Sequence, residues 1–150
     1  MDKQSKMDTA RQLFLQGYNC AQAVAAAFAP EMGLTESTAL RMASGFGGGL
    51  GGLGLTCGAV SGMAMVYSAL HGYDDPQDLE AKKTVYGDIK RLCAQFDTRY
   101  GSLACRDLLA QNQALSQSAQ AQGLPQCYIT RPCCHYVETC AALLCDMPEV

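Results

Sequence analysis

Apolar side chains recur along this chain every three or four residues, which is the spacing of one face of an α-helix. The clearest case lies in the segment 76–100, where five such side chains follow one another: Tyr86, Ile89, Cys93, Phe96 and Tyr100. Charged residues occupy the opposite side of the same segment. No segment alternates apolar and polar residues in the way that a half-buried strand does. The pattern predicts an all-α protein.

Start and stop signals divide the chain into seven helices. Four polar residues suit the N-cap position, because their side chains can accept hydrogen bonds from the first turn: Asn19, Thr35, Thr56 and Ser102. A seventh helix is expected to open at Thr130 and Pro132. The predicted helices cover about residues 2–16 or 8–16, 20–29, 36–44, 57–71, 76–100, 103–110 and 132–145, with a weak helix and a loop over 111–126.

The segment 45–54 is rich in glycine, which makes a helix there unfavourable in backbone entropy. It predicts a tightly packed loop before a central buried helix at 57–71. No charged residue lies between Arg41 and Asp74, but the part of this stretch that can be helical, 56–70, is shorter than the ~20 residues of a membrane span. The expected architecture is a single compact bundle of six or seven helices, with residues 1–150 forming one domain.

Composition narrows the class of function. The 150 residues are 49% hydrophobic and 17% charged, which suffices for one domain with its own core and does not fit a disordered chain. The net charge of -3 lacks the basic footprint of a nucleic-acid-binding protein, so no nucleic acid partner is expected. The first apolar run, residues 13–15, is too short for a secretory signal, and we expect a cytoplasmic protein.

Nine cysteines require an explanation, because reducing thiol pools keep structural disulfides rare in the cytoplasm. Four of them fall in the first turn of four different predicted helices and are called the cysteine quartet here: Cys20, Cys57, Cys105 and Cys133. First-turn N–H groups lack helical partners and the helix dipole is positive there, so each thiolate should be stabilised and its pKa lowered. Arg106 and Arg131 lie near two of the four and should act in the same direction.

The other five cysteines have different expected roles. Cys93 and Cys140 are expected to pack in the core, although Cys140 could also serve as a spare ligand. The remaining three are interpreted as incidental: Cys127, Cys134 and Cys145. No C-x-x-C motif occurs, so neither a zinc ribbon nor a thioredoxin motif is present, and no C-x-x-C-H motif implies a haem.

Several segments together carry a family resemblance. They read GYNCAQAV at 17–24, ASGFGGG at 43–49, CGAVSG at 57–62 and GSLACRDLL at 101–109, with Cys133 four residues before Val137. Over about residues 8–145 the chain resembles the family of redox-active proteins named for its C-GCAxxG-C-C cysteine pattern. The resemblance implies a small helical protein with a redox role and places the four signature cysteines on the cysteine quartet. A related domain accompanies an iron–sulfur centre in split-Soret cytochromes.

The chain departs from that pattern in its number of cysteines. Cys133 and Cys134 form a doublet where the family has a single cysteine, and three further cysteines are additional: Cys127, Cys140 and Cys145. The fourth position of the site is therefore open between Cys133, Cys134 and Cys140.

Three functions remain open from the sequence. The first is an iron–sulfur cluster of [2Fe–2S] type, held by the cysteine quartet, which transfers electrons to an unknown redox partner protein. The second is a metal-free thiol–disulfide relay with Cys57 as nucleophile and Cys20 as its resolving partner. The third is a structural zinc site in the quartet or a plain helical binding domain. The alanine- and glycine-rich faces would also suit a homodimer contact.

Overall fold

The computed structural model describes residues 1–148, and its regular structure in this range consists of helices with no β-strand. The predicted all-α class is confirmed. The helices of this part of the chain are α1 (Lys3–Leu15), α2 (Cys20–Ala27), α3 (Glu36–Ala43), α4 (Gly58–His71), α5 (Leu79–Tyr100), α6 (Cys105–Ala121), α7 (Gln126–Thr130) and α8 (Cys134–Cys145), with a short 3-10 helix at Ser44–Phe46.

Helix α2 lies at the centre of the fold, in contact with α1, α3, α4 and α8. It begins at a capping box, in which Asn19 Oδ1 accepts from the Gln22 backbone N–H at 2.9 Å and the Gln22 side chain accepts from the Asn19 N–H. Small side chains let α4 approach closely, since a Cβ on Gly62 would stand 2.8 Å from the Ala21 carbonyl oxygen. The predicted cap at Asn19 is confirmed, and it fixes where Cys20 lies.

Helices α4, α5 and α8 supply the larger side chains of the core. The predicted central helix is buried, with Met63 and Tyr67 of α4 almost inaccessible to solvent. On α5 the buried stripe is Val85, Leu92, Phe96 and Tyr100, and Tyr86 is 53% exposed. The predicted stripe was therefore wrong at Tyr86, because Val85 and Leu92, seven residues apart, occupy the core face instead.

Several helix boundaries differ from the prediction, and α2, α5 and α6 also end or begin two or three residues inside their predicted ranges. Helix α6 continues to Ala121, through the segment where a weak helix and a loop were expected, and its later turns pack against α7, where Ser116 Oγ donates to the Ile129 carbonyl at 2.7 Å. Helix α7 was not predicted at all, and Thr130 ends it rather than capping α8. The N-cap residues of α4 and α8 are the cysteines Cys57 and Cys133.

Helix α1 is fastened to α8 by a largely buried ion pair. Arg11 Nη1 donates to Glu138 Oε1 at 2.9 Å, and the Tyr128 hydroxyl donates to the same oxygen at 2.6 Å. This network joins α1 to α7 and to the first half of α8. None of the helices that the structure describes has both the length and the apolar character needed to cross a membrane.

Candidate cysteine centre

The cysteine quartet lines a single cavity of about 350 Å³. Each member stands at the beginning of a helix. Cys20 and Cys105 are the first residues of α2 and α6, and Cys57 and Cys133 are the N-cap residues of α4 and α8. Four helix N-termini therefore meet around one volume, although their cysteines are far apart in the chain.

The quartet sulfurs also influence one another electrostatically. In each of the six possible pairs, the negative charge of one thiolate raises the pKa of the other thiol. The strongest of these interactions joins Cys20 and Cys133, where a hydrogen bond from the Cys20 thiol to the Cys133 sulfur raises the pKa of Cys20 and lowers that of Cys133. The structure thus brings together all four residues that the sequence singled out.

The four thiols of the quartet differ in pKa. The Cys20 hydrogen bond, followed by the Asn112 amide and the Arg131 charge, lowers the pKa of Cys133 to about 6 against the opposing effect of burial. Burial raises the pKa of Cys57 to about 11, although the backbone N–H groups of its own helix act in the other direction. The pKa of Cys105 is raised by burial as well.

The predicted lowering of pKa was therefore wrong for three members of the quartet. The pKa of Cys20 is raised well above its ordinary value, first because its thiol is the donor in the bond to Cys133 and then because of burial. Removal from water disfavours a thiolate more strongly than the nearby helix N-terminus favours it at these positions. Only Cys133 has partners that overcome this effect.

Two side chains near Cys133 were missed by the sequence analysis. Asn112 Nδ2 donates to Cys133 Sγ at 3.4 Å, and the Tyr136 hydroxyl lies 3.0 Å from Asn112 Oδ1. Asn112 lies seven residues after Cys105, on the same face of α6, and this spacing is the signal that could have found it. It was overlooked because its segment was predicted as a weak helix and a loop.

Of the two arginines singled out from the sequence, only Arg131 acts on a quartet thiol in the way expected. It lines the cavity, where its guanidinium donates to the Phe14 carbonyl at 2.7 Å and lies 4.1 Å from the Phe14 ring centroid. Arg106 instead donates from Nε to the Gly54 carbonyl at 3.2 Å. Its role is to hold the glycine-rich loop against α6.

The glycine-rich loop packs directly against Cys105. Thr56 and Ala104 form an antiparallel bridge, and the Cys57 N–H donates to the Leu103 carbonyl at 2.8 Å. Gly49 has a φ of +73°, and a Cβ there would stand 2.7 Å from the Cys105 Cβ. The loop therefore needs glycine both for its backbone conformation and for the space beside the cysteine.

The other cysteines lie away from the cavity wall. Cys134 and Cys140 are completely buried in the helical core, and burial raises the pKa of Cys134 to about 12. Cys93 and Cys145 are partly buried and pack against the same core. Of the three candidates for the fourth position, Cys133 is the one that faces the cavity. All nine cysteines are free thiols.

Over residues 1–148, no group of three or more His, Cys, Asp or Glu side chains is arranged to hold a metal ion. The quartet surrounds its cavity instead of closing on one point. The rest of the wall combines aromatic and aliphatic side chains with glycine, including Phe14, Tyr18, Leu108, Gly48 and Gly58.

Fold and site together define an all-helical protein whose cysteines are gathered at helix N-termini around one cavity. Residues 18–147 match the model of the family described as "Putative redox-active protein (C_GCAxxG_C_C)", and the chain belongs to this family. The resemblance noted from the sequence is confirmed, and membership supports a redox role. No curated protein and no solved structure gave a significant match to the chain.

Proposed function

We propose that the cysteine quartet is a redox centre that binds an iron–sulfur cluster, of [2Fe–2S] type, and transfers electrons. The observation that carries the proposal is the gathering of four thiols from four helices around one cavity. Four cysteine thiolates are the standard ligand set of such clusters, and soft sulfur donors favour iron–sulfur chemistry. A bound cluster would supply one-electron transfer, whereas dithiol–disulfide exchange between the thiols moves two electrons.

The surroundings of the quartet fit a negatively charged group. Four helix N-termini present positive dipole ends, and Arg131 adds a full positive charge on the cavity wall. Glycines leave space on that wall, since a Cβ on Gly58 would stand 3.3 Å from the Cys20 Cβ. Three of the four thiols have raised pKa values in the metal-free protein, so their ligation must release protons.

A second candidate is favoured by one specific contact, the hydrogen bond from the Cys20 thiol to the Cys133 sulfur. In a metal-free relay, the Cys133 thiolate would attack a disulfide of a partner protein and form a mixed disulfide. Cys20 would then attack the Cys133 sulfur. The partner leaves as a dithiol, with one proton from the Cys20 thiol and one from water, and a Cys20–Cys133 disulfide remains. Here Cys133 takes the nucleophilic role that the sequence analysis assigned to Cys57.

The free thiols support a proposal for the cellular setting. We propose a reducing compartment, the cytoplasm, and a separate redox partner protein that exchanges electrons with the quartet. All nine cysteines are free, which suits such a compartment.

The experiment is anaerobic purification and reconstitution with iron and sulfide, followed by absorption spectroscopy and analysis for iron, sulfide and zinc. We expect a brown protein with visible absorption and about two iron atoms per chain. Serine substitution of any quartet cysteine should abolish or destabilise the chromophore. Cys93→Ser, on α5 and away from the cavity wall, is the matched control and should leave it unchanged.

Other outcomes separate the alternatives. A colourless, iron-free protein after reconstitution would overturn the cluster, and a Cys20–Cys133 bridge found by mass spectrometry after mild oxidation would then favour the relay. Zinc content without any redox change, with unfolding on chelation, would point to a structural zinc site. Equally slow alkylation of all nine thiols at neutral pH would exclude the relay.

A further inference from the structure

We propose that Asn112, held in one amide orientation by Tyr136, is a positioning residue that tunes the redox centre through its hydrogen bond to Cys133. The inference rests on the proposed function and deepens it, because it assigns control of the centre to residues outside the quartet. The amide belongs to α6 and the sulfur to the start of α8, so the bond also links two of the helices that frame the cavity.

The geometry around Asn112 is specific. Its Nδ2 lies 3.4 Å from Cys133 Sγ, and its Oδ1 lies 3.0 Å from the Tyr136 hydroxyl oxygen. The same hydroxyl also lies 3.1 Å from the Leu108 carbonyl oxygen. Both neighbours are acceptors, and the single hydroxyl proton is shared between them. Asn112 Oδ1 is thus drawn toward Tyr136, which turns the donating Nδ2 toward the sulfur.

Tyr136 itself is rigidly placed. Tyr136 is 1% exposed. The centroid of its ring lies 4.8 Å from that of Tyr100, in an edge-on arrangement, and 5.9 Å from that of Phe96. Aromatic packing therefore fixes the position of the hydroxyl before any cofactor binds. Through the hydrogen bonds Tyr136–Asn112 and Asn112–Cys133, the fixed hydroxyl in the core determines the position of the donor at the cavity wall.

A hydrogen bond to a sulfur stabilises the form of the centre in which that sulfur is more negative. Reduction increases the negative charge on the thiolate sulfurs of a cluster, and a donor to the sulfur therefore raises the midpoint potential. In the metal-free protein the same bond favours the Cys133 thiolate over the thiol. The hydrogen bond therefore raises the midpoint potential of a cluster and lowers the pKa of the metal-free thiol, because in both cases it stabilises negative charge on the same sulfur.

The test uses three substitutions, two that remove the donor and one that removes the group that orients it. Asn112→Leu removes the polar atoms at similar size, and Asn112→Asp replaces the donor with a negative charge. Tyr136→Phe keeps the ring packing but removes the proton that orients the amide. Gln113→Leu, at an exposed neighbouring position of α6, is the matched control.

The first measurement is the midpoint potential of the reconstituted protein in an anaerobic titration. We expect the potential to fall in all three variants, most in Asn112→Asp and least in Tyr136→Phe, with Gln113→Leu unchanged. Unchanged potentials in both Asn112→Leu and Tyr136→Phe would overturn the inference, because a purely structural role would alter stability but not the potential.

The second measurement does not depend on a cluster. It follows the rate of Cys133 alkylation against pH in the metal-free protein, with Cys134 replaced by alanine. Asn112→Leu should move the midpoint upward and lower the rate at pH 5 about threefold for each pKa unit, since a unit is a factor of ten in ionisation and the higher nucleophilicity of the more basic thiolate cancels about half of it on a logarithmic scale. Such a shift without any iron binding would retain the role of Asn112 and reject the cluster. An identical profile in wild type and variant would reject the role of Asn112.

Discussion

Cys133 and Cys134 are neighbours in the chain but lie in different regions of the molecule. Cys133 faces the cavity, where donors and a guanidinium lower its pKa to about 6. Cys134 is completely buried in the helical core, and burial raises its pKa to about 12. One step along the chain changes the direction of the side chain by about a hundred degrees on a helix. The chemistry of each thiol is therefore decided by the region it faces and not by its position in a cysteine motif.

The same contrast separates the other cysteines. The cavity is built from helix starts and a glycine-rich loop, where backbone N–H groups, Asn112 and Arg131 are available to sulfur. The core around Cys140 is apolar, and a free cysteine there behaves as a small hydrophobic residue. A redox centre requires the first environment, and nine cysteines in one chain do not all contribute to it.

The largest expected difference lies in thiol reactivity. At pH 7 in the metal-free protein, Cys133 should be alkylated at least about a hundredfold faster than Cys134. Cys133 is ionised above about pH 6, whereas Cys134 stays protonated until about pH 12. The lower intrinsic nucleophilicity of the more acidic thiolate cancels about half of the advantage in ionisation, on a logarithmic scale.

This rate should be measured by mass spectrometry of peptides after timed alkylation, with Cys133→Ser and Cys134→Ala as controls. The rate at Cys133 should fall as the pH is lowered through about 6. Equal rates at the two positions would contradict the division into two regions.

The next effect concerns the loop that holds Cys105 at the cavity. Gly49→Ala should destabilise the protein by about 3 to 5 kcal/mol, because it combines a left-handed backbone with severe overpacking. Its Cβ would stand 2.6 Å from the Leu55 nitrogen and 2.7 Å from the Cys105 Cβ. Gly51→Ala, where φ is +57° and nothing lies within 4 Å, should cost only about 1 to 2 kcal/mol.

Urea denaturation of the two glycine variants measures this difference. A loss in Gly49→Ala no greater than that in Gly51→Ala would show that the loop does not pack against Cys105 as described.

The smallest effect is expected from two ion pairs of α1. One pairs α1 with Glu138 inside α8, and the other pairs it with Asp146, the residue after α8. Arg11 and Glu138 have side chains 25% and 11% exposed, whereas Lys3 and Asp146 are 50% and 53% exposed. Glu138→Gln leaves Asp8, 3.0 Å from Arg11, as the remaining ion-pair partner of that guanidinium and removes the charge of the less exposed carboxylate, so it should lower stability by about 1 to 3 kcal/mol. Asp146→Asn should lower it by less than about 1 kcal/mol. Thermal unfolding at low and high salt would test both values, and equal losses would contradict the comparison.

The sequence was most informative where local hydrogen bonds decide the structure. Asn19 and Thr35 cap their helices as predicted, because each side chain accepts a bond from its own first turn. Ser102 and Thr130 were misread, because other contacts engage them: Ser102 Oγ donates to Asp107, and Thr130 Oγ1 donates to the Gln126 carbonyl. Thr56 forms the bridge to Ala104 and leaves the cap position to Cys57.

The sequence predicted which four cysteines come together, but it did not predict the pKa values of their thiols. Helix starts and the family pattern both indicated the same four cysteines. The directions of the pKa shifts depend on burial and on Asn112 and Cys20, which reach Cys133 only after the chain has folded. Tertiary contacts of this kind leave no local pattern in the sequence.

The central claim is that four distant thiols form one centre, and the pattern of disulfides formed by the metal-free protein tests it most directly. The protein is exposed to a limiting amount of oxidant, and the first bridges are identified by mass spectrometry. We expect that Cys20–Cys133 forms first and that the other early bridges join members of the cysteine quartet. Early bridges to Cys93 or Cys145, with the quartet still reduced, would contradict it.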